Sequence, residues 1–109
     1  MIASYKHRGE ALDYVNSTEN TIEAGEVVTV GSRVGVIAGD IAPGTVGAVH
    51  VEGVFEFPLT TGTAIAQGAN VYWDATNKKI TSSSSGNTAA GYAAAAATAT
   101  DETITVKIG

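Results

Sequence analysis

Short apolar runs separated by glycine dominate the chain from Glu23 onward. The runs read EAGEVVTVG, RVGVIAGDIAPG and TVGAVHVEGVFEFPL, and turn-forming residues bound each of them. Closely spaced runs of this kind are typical of a β-meander or a small β-barrel. The pattern therefore predicts a mainly β domain with little or no helix over residues 21–109.

The clearest alternation of apolar and polar positions lies in residues 46–59. His50, Glu52 and Glu56 occupy even positions. The odd positions hold the apolar side chains Val49, Val51, Phe55, Phe57 and Leu59. A period of two predicts one long strand with a single buried face. Gly53 is expected to mark a bulge or bend, because a residue without Cβ lets the backbone curve.

The next segment predicts a hairpin. Residues 71–74 and 79–81 are its strands, and Asn77 lies in the turn between them. Tyr72 and Trp73 fall on opposite faces of the first strand, and we expect Trp73 to be in the core. The following SSSSGN, residues 82–87, has the composition of an exposed loop.

Five consecutive alanines follow Tyr92 and leave two interpretations open. Gly91 precedes the run and threonines follow it, and the run is shorter than an isolated helix requires. We therefore predict a strand of small side chains that pairs with residues 103–108. A short helix over residues 92–97 is the alternative.

Residues 1–20 are polar and follow neither a helical nor a strand period. They are predicted to form an extended N-terminal arm attached to a single β domain of residues 21–109. A chain of 109 residues fits one domain, and its 44% hydrophobic content is sufficient for a core.

Three segments resemble one another: AGEVV at 24–28, PGTV at 43–46 and QGANV at 67–71. Each places a glycine two or three residues before a valine that opens a strand. Ordinary β-turn chemistry accounts for the pattern, and a duplicated unit is the alternative.

Charge and composition exclude several classes of function. The net charge is −5 and the six basic residues are scattered, which disfavours nucleic-acid binding. No apolar stretch approaches a membrane span and no secretory leader is present, so we expect synthesis in the cytoplasm and no membrane partner. The absence of cysteine excludes disulfides and thiolate catalysis.

No catalytic or ligand-binding motif emerges from the sequence. Phosphate-loop and nucleophile-elbow motifs are absent, and His7 and His50 lack the spacing of a metal-binding pair. Glu52 and Glu56 share one strand face but would lie about 13 Å apart, too far to flank one bond. The sequence therefore predicts no enzyme, no metal or other cofactor, and no small-molecule substrate.

The ordered set of phrases resembles one family. The chain presents Gly9, Leu12, Asp13 and Tyr14, then IEAGEVVTVGSRVGVIAGDIAPGTVGAVHVEGVFEFP, then QGANVYWDATNKKIT, then AGYA and a final TVKI. This order is similar to that of the small capsid decoration, or cement, proteins of tailed bacteriophages. Departures are Thr45, where the family often has an acid, and the loop of residues 82–87. Relatives are sometimes labelled recombinases, a label that the missing phosphate loop argues against.

The resemblance implies a β-barrel or β-tulip-like subunit. It would bind the major capsid protein on the outer surface of an icosahedral head, often as a homotrimer, and stabilise the virion. Tyr5, His7, Arg8 and Tyr14 of the arm are the predicted capsid contacts. The alternative function is a small β-barrel or β-sandwich module that binds carbohydrate.

Overall fold

A computed structural model describes residues 2–109, which contain nine strands and no helix. The strands are β1 (Ala11–Val15), β2 (Val27–Val30), β3 (Arg33–Ile37), β4 (Val46–His50), β5 (Gly53–Pro58), β6 (Asn70–Asp74), β7 (Lys79–Thr81), β8 (Thr88–Ala93) and β9 (Thr103–Ile108). Over this range, no helix of the length and apolarity needed to cross a bilayer is present.

The strands form two antiparallel sheets. The first sheet has the order β1-β4-β3-β2, and the second has the order β5-β9-β8-β6-β7. The predicted mainly β class is confirmed. Each sheet keeps two edge strands, so residues 2–109 form no closed barrel, and the barrel or tulip detail is not confirmed.

The single strand predicted for residues 46–59 is wrong. The chain leaves the first sheet after His50 and enters the second at Gly53, so the segment forms β4 and β5. The apolar alternation continues across the break because both strands bury one face, one in each sheet. Gly53 lies at the crossing with a φ of 132°, where we expected a bend.

The two sheets share one connectivity. If β7 is set aside as an insertion, β1, β2, β3 and β4 correspond in order and pairing to β5, β6, β8 and β9. Each unit also has an isolated antiparallel β-bridge outside its strands. Ile22 pairs with Ile41 in the first unit, and Ile65 pairs with Ala97 in the second. The fold is therefore a tandem repeat of one four-stranded unit.

Two of the three turn glycines in the similar segments hold equivalent positions in this repeat. Gly44, which precedes β4, has no glycine counterpart before β9. Gly25 and Gly68 both have positive φ and precede β2 and β6. Each donates its N–H across the unit, Gly25 to the Ile37 carbonyl and Gly68 to the Ala93 carbonyl, at 2.8 Å in both cases. Turn chemistry alone explains the positive φ of Gly25 and Gly68. Their equivalent positions in the two units are explained by the duplicated unit.

Hydrophobic side chains form two clusters, one associated with each unit. The smaller cluster has Ile37, Ile41 and Val49 at its centre, with Tyr14 packed against it. The larger one contains Val34, Val36, Phe57, Leu59, Ile65, Val71, Trp73, Ile80, Ala90, Ala93, Ala97, Ile104, Val106 and Ile108. Because Val34 and Val36 come from β3 of the first sheet, this cluster also joins the two units.

The predicted hairpin is confirmed, since β6 and β7 form it, and residues 82–86 are exposed. The strand predicted for the alanine run is wrong for most of its length: Ala93 ends β8, and residues 94–97 lie outside the strands and form no helix. β8 pairs with β9 through Tyr92 opposite Lys107 and Ala93 opposite Val106. Trp73 is buried and its neighbour Tyr72 is only partly so, as the strand period requires.

The predicted arm of residues 1–20 is shorter in the structure. Residues 11–15 form β1, which pairs along its whole length with β4. Leu12 pairs with Val49 and Tyr14 with Gly47, so their side chains lie on one face of the sheet. Two alternate apolar residues among polar neighbours are too few to predict a strand from the sequence. Residues 2–9 lie outside both sheets, and residues 2–8 are exposed; residue 1 lies outside the described residues.

Candidate partner-binding surfaces

Three of the predicted contact residues lie in residues 2–9, which precede the first sheet and which we call the arm. Tyr5 is 82% exposed. The side-chain contacts of His7 and Arg8 are local: His7 Nδ1 accepts the Gly9 N–H at 2.9 Å, and Arg8 Nε lies 3.5 Å from a Glu10 carboxylate oxygen. Both ion-pair partners are well exposed, so the pair adds little stability and leaves the arm available to a partner.

The fourth predicted contact, Tyr14, is placed elsewhere. It lies in β1, is half-buried against the smaller cluster, and lines a groove. The structure therefore brings Tyr5, His7 and Arg8 together in one segment and separates Tyr14 from them.

The groove has a volume of about 600 Å³ and runs beside β2. Its walls are Tyr14, Gly25, Glu26, Val27, Val28, Thr29, Pro58, Trp73, Ala75 and Lys78. The lining is mainly apolar, with one acidic and one basic side chain. Because the groove includes residues of both units, no local pattern in the sequence predicts it.

Trp73 makes one wall of the groove rigid. Its ring packs against Phe57 with centroids 6.0 Å apart and planes inclined by 60°, a tilted arrangement that aromatic pairs favour. The ring is almost fully buried, so its small exposed part forms a fixed apolar surface.

A second apolar feature lies on the first sheet. Val15 and Val46 face each other across β1 and β4 and are 59% and 60% exposed. Large apolar side chains exposed side by side are candidates for a protein contact. The sequence did not reveal them, because each looks like an ordinary strand residue until the pairing of β1 with β4 is known.

The Asp74 carboxylate has a structural role. Residues 2–109 hold no group of three or more histidine and acidic side chains that could bind a metal. The Asp74 carboxylate accepts hydrogen bonds from the side chain and backbone of Asn77 and from the backbone of Thr76, and these bonds lower its pKa. Asp74 thus stabilises the β6–β7 turn.

Exposed aromatic rings are not gathered as a carbohydrate site would require. The two most exposed tyrosines are Tyr5 in the arm and Tyr92 in β8 of the second sheet. Nothing in their placement favours the carbohydrate-binding alternative over a protein contact.

Comparison with known families decides between these interpretations. The sequence model of a family described as phage cement protein matches residues 6–108, nearly the whole chain. The chain belongs to the phage cement protein family. No curated protein and no solved structure matches this cement protein. Membership supports a structural, capsid-associated role in the phage particle, and it agrees with the resemblance carried by the ordered strand phrases.

Proposed function

We propose that this cement protein binds the major capsid protein on the outer surface of an icosahedral phage head and stabilises the shell. The observation that carries the proposal is the family match over residues 6–108. The protein is made in the host cytoplasm, acts as a homotrimer, and needs no catalysis, cofactor, nucleic acid or membrane.

The proposed mechanism is mechanical. The larger hydrophobic cluster joins the two units into one body. Such a body can span neighbouring capsid subunits, so that separating the subunits also breaks the contacts between the cement protein and the capsid. A trimer that engages several sites at once gains avidity well beyond that of one contact. Contacts of moderate strength are therefore sufficient.

Two surfaces are proposed to contact the shell. The arm carries Tyr5, His7 and Arg8, which are exposed and become ordered when the capsid covers them. Tyr14, at the first sheet, is the fourth contact and lies in the same strand as exposed Val15. Aromatic and arginine side chains are the types that dominate binding energy in protein interfaces.

Co-sedimentation with purified mature heads tests the proposal. The wild-type protein is expected to pellet with heads at saturation, and Tyr5→Ala combined with Arg8→Ala is expected to weaken binding at least tenfold. Ser84→Ala is the control. Ser84 lies in an exposed loop distant in sequence from the arm, and the variant is expected to bind like wild type. A wild-type protein that remains in the supernatant with saturating heads would overturn the proposed function.

A further inference from the structure

The internal repeat exposes a difference between two equivalent strand edges. In the second unit, β7 covers the outer edge of β6 and pairs through Tyr72 with Thr81, Trp73 with Ile80 and Asp74 with Lys79. β2 holds the same place in the first unit and ends its sheet. Among residues 2–109, no strand occupies on β2 the position that β7 occupies on β6.

The polar groups left open on β2 follow from its pairing with β3. A two-residue turn, Gly31 and Ser32, joins the strands, and Val30 lies opposite Arg33. The pair that flanks such a turn is hydrogen-bonded, and hydrogen-bonded pairs alternate along an antiparallel ladder. The N–H and C=O groups of Val27 and Thr29 therefore point away from β3, toward the open edge.

The groove lies along this edge and suits an extended chain. Its lining combines Val27 of β2 with Pro58 and Trp73 of the second unit, and it includes Glu26. Added strands gain main-chain hydrogen bonds from the edge and specificity from pockets for alternate side chains. The groove supplies both kinds of contact.

The arm has the chemistry of the missing strand. Its two charged residues, Lys6 and Arg8, are basic, whereas all eleven acidic residues of the chain lie from Glu10 onward. Ile2 and Tyr5 are 92% and 82% exposed, so the arm also carries apolar side chains that its own body does not cover. Its eight residues can extend to about 26 Å, twice what the four residues of β2 require.

The position of the arm favours a second copy as its source. Residues 2–9 lie outside both sheets, and Ile2 and Tyr5 are exposed, so the arm does not occupy the edge of β2 in its own chain. An arm from a neighbouring copy can lie along β2 over its whole length.

We propose that the arm of one copy adds as a fifth strand to β2 of a second copy, with alternate side chains in the groove. This inference rests on the proposed trimer and deepens it, because a head-to-tail contact closes into a ring of three when successive copies are related by a three-fold rotation. In an extended strand Tyr5 and His7 fall in one row and Arg8 in the other. With Tyr5 and His7 in the groove, Arg8 faces outward and contacts the shell directly, whereas Tyr5 and His7 act on shell binding by holding the arm in place.

Oligomeric state measured by light scattering tests the inference without any capsid. Wild type is expected to form a closed oligomer that dissociates as salt is raised, because a basic arm meets an acidic body. Deletion of residues 2–9 and Thr29→Pro, which removes an outward N–H, are each expected to give folded monomers. Thr29→Val keeps that N–H and is expected to associate like wild type.

Mixing the two monomeric variants gives the sharpest result. The arm-deleted chain keeps its groove and the Thr29→Pro chain keeps its arm, so together they are expected to form one-to-one dimers. A wild-type protein that is monomeric at millimolar concentration, or a folded Thr29→Pro variant that associates like wild type, would overturn the inference.

Cysteine pairs keep the inference testable if Thr29→Pro does not fold. The chain has no cysteine, so a chain with Thr29→Cys can crosslink only with an introduced thiol. It is mixed in turn with chains carrying Ser4→Cys, Tyr5→Cys, Lys6→Cys or His7→Cys. A disulfide in at least one mixture is expected, and none in all four would refute the inference. Head binding is scored separately, so loss of binding with an intact oligomer contradicts only the proposed function.

Discussion

Asn16 illustrates how single side chains hold the first unit together. Its amide donates to the carbonyls of Asn20 and Ile41, both at 2.8 Å, and its oxygen accepts from the N–H and hydroxyl of Thr18. Leu59 follows β5 as Asn16 follows β1, and both are fully buried. One unit thus uses a polar network where the other uses apolar packing.

Asn16→Ala is expected to lower the free energy of unfolding by about 3 kcal/mol, because it removes four hydrogen bonds of a fully buried side chain. Urea denaturation measures the change. Asn20→Ala is the control: Asn20 is exposed and contributes through its carbonyl, so the expected loss is below about 0.5 kcal/mol. Equal losses for both variants would contradict this role of Asn16.

Gly35 and Gly91 occupy equivalent positions in β3 and β8, where a neighbouring strand comes unusually close. A Cβ on Gly91 would overlap the Lys107 carbonyl, and a Cβ on Gly35 would overlap the Val49 side chain and approach the His50 carbonyl at 3.3 Å. Gly91 also has a φ of 140°, which side chains rarely adopt.

Gly91→Ala is expected to lower the melting temperature by more than 10 °C or to prevent folding, since a rigid backbone atom blocks the added methyl group. Gly39→Ala is the matched control, because a Cβ there meets nothing within 4 Å and its φ is not positive. Thermal unfolding followed by circular dichroism compares the two. A Gly91→Ala protein as stable as the Gly39→Ala protein would show that the strands do not pack this closely.

The β6–β7 hairpin is the element that distinguishes the two units, and its turn carries a titrating group. Asn77 and Thr76 donate to the Asp74 carboxylate and lower its pKa. A carboxyl with a lowered pKa in the folded state stabilises the protein above its unfolded pKa. That contribution is lost as the pH falls from about 4 through the lower folded value.

A carbon-detected NMR titration is expected to place the pKa of Asp74 below that of an unstructured aspartate. Asn77→Ala removes the largest of the contributing hydrogen bonds and is expected to raise the pKa of Asp74. Asn87→Ala, in the neighbouring loop, is the control and is expected to leave it unchanged. An ordinary pKa of Asp74 in the wild-type protein would contradict the hydrogen-bonded turn.

The sequence predicted local elements better than their partners. The β6–β7 hairpin and the alternation of β9 are visible in adjacent residues. The break between β4 and β5 is not, because an apolar alternation that passes from one sheet to another looks the same as one long strand. The place of Tyr14 in β1 is likewise hidden from local patterns, since it depends on pairing with a strand more than 30 residues away.

At the scale of the whole molecule, the repeat was visible only as similar turns. Equivalent positions keep their backbone roles while their side chains differ, as Ile37 and Ala93 or Asn16 and Leu59 do. The groove could not be predicted, because Trp73 and Val27 come from different units. The family resemblance rests on the order of the sequence motifs along the chain, and recognising that order requires no knowledge of which strands pair.

The most direct test of the proposed function is an electron-microscopy map of phage heads with and without this protein. We predict added density on the outer surface at three-fold-related positions, with the arm ordered between copies or against the shell, and greater resistance of the decorated heads to heat. Heads that show no added density at saturating protein, or density confined to the interior, would contradict the account.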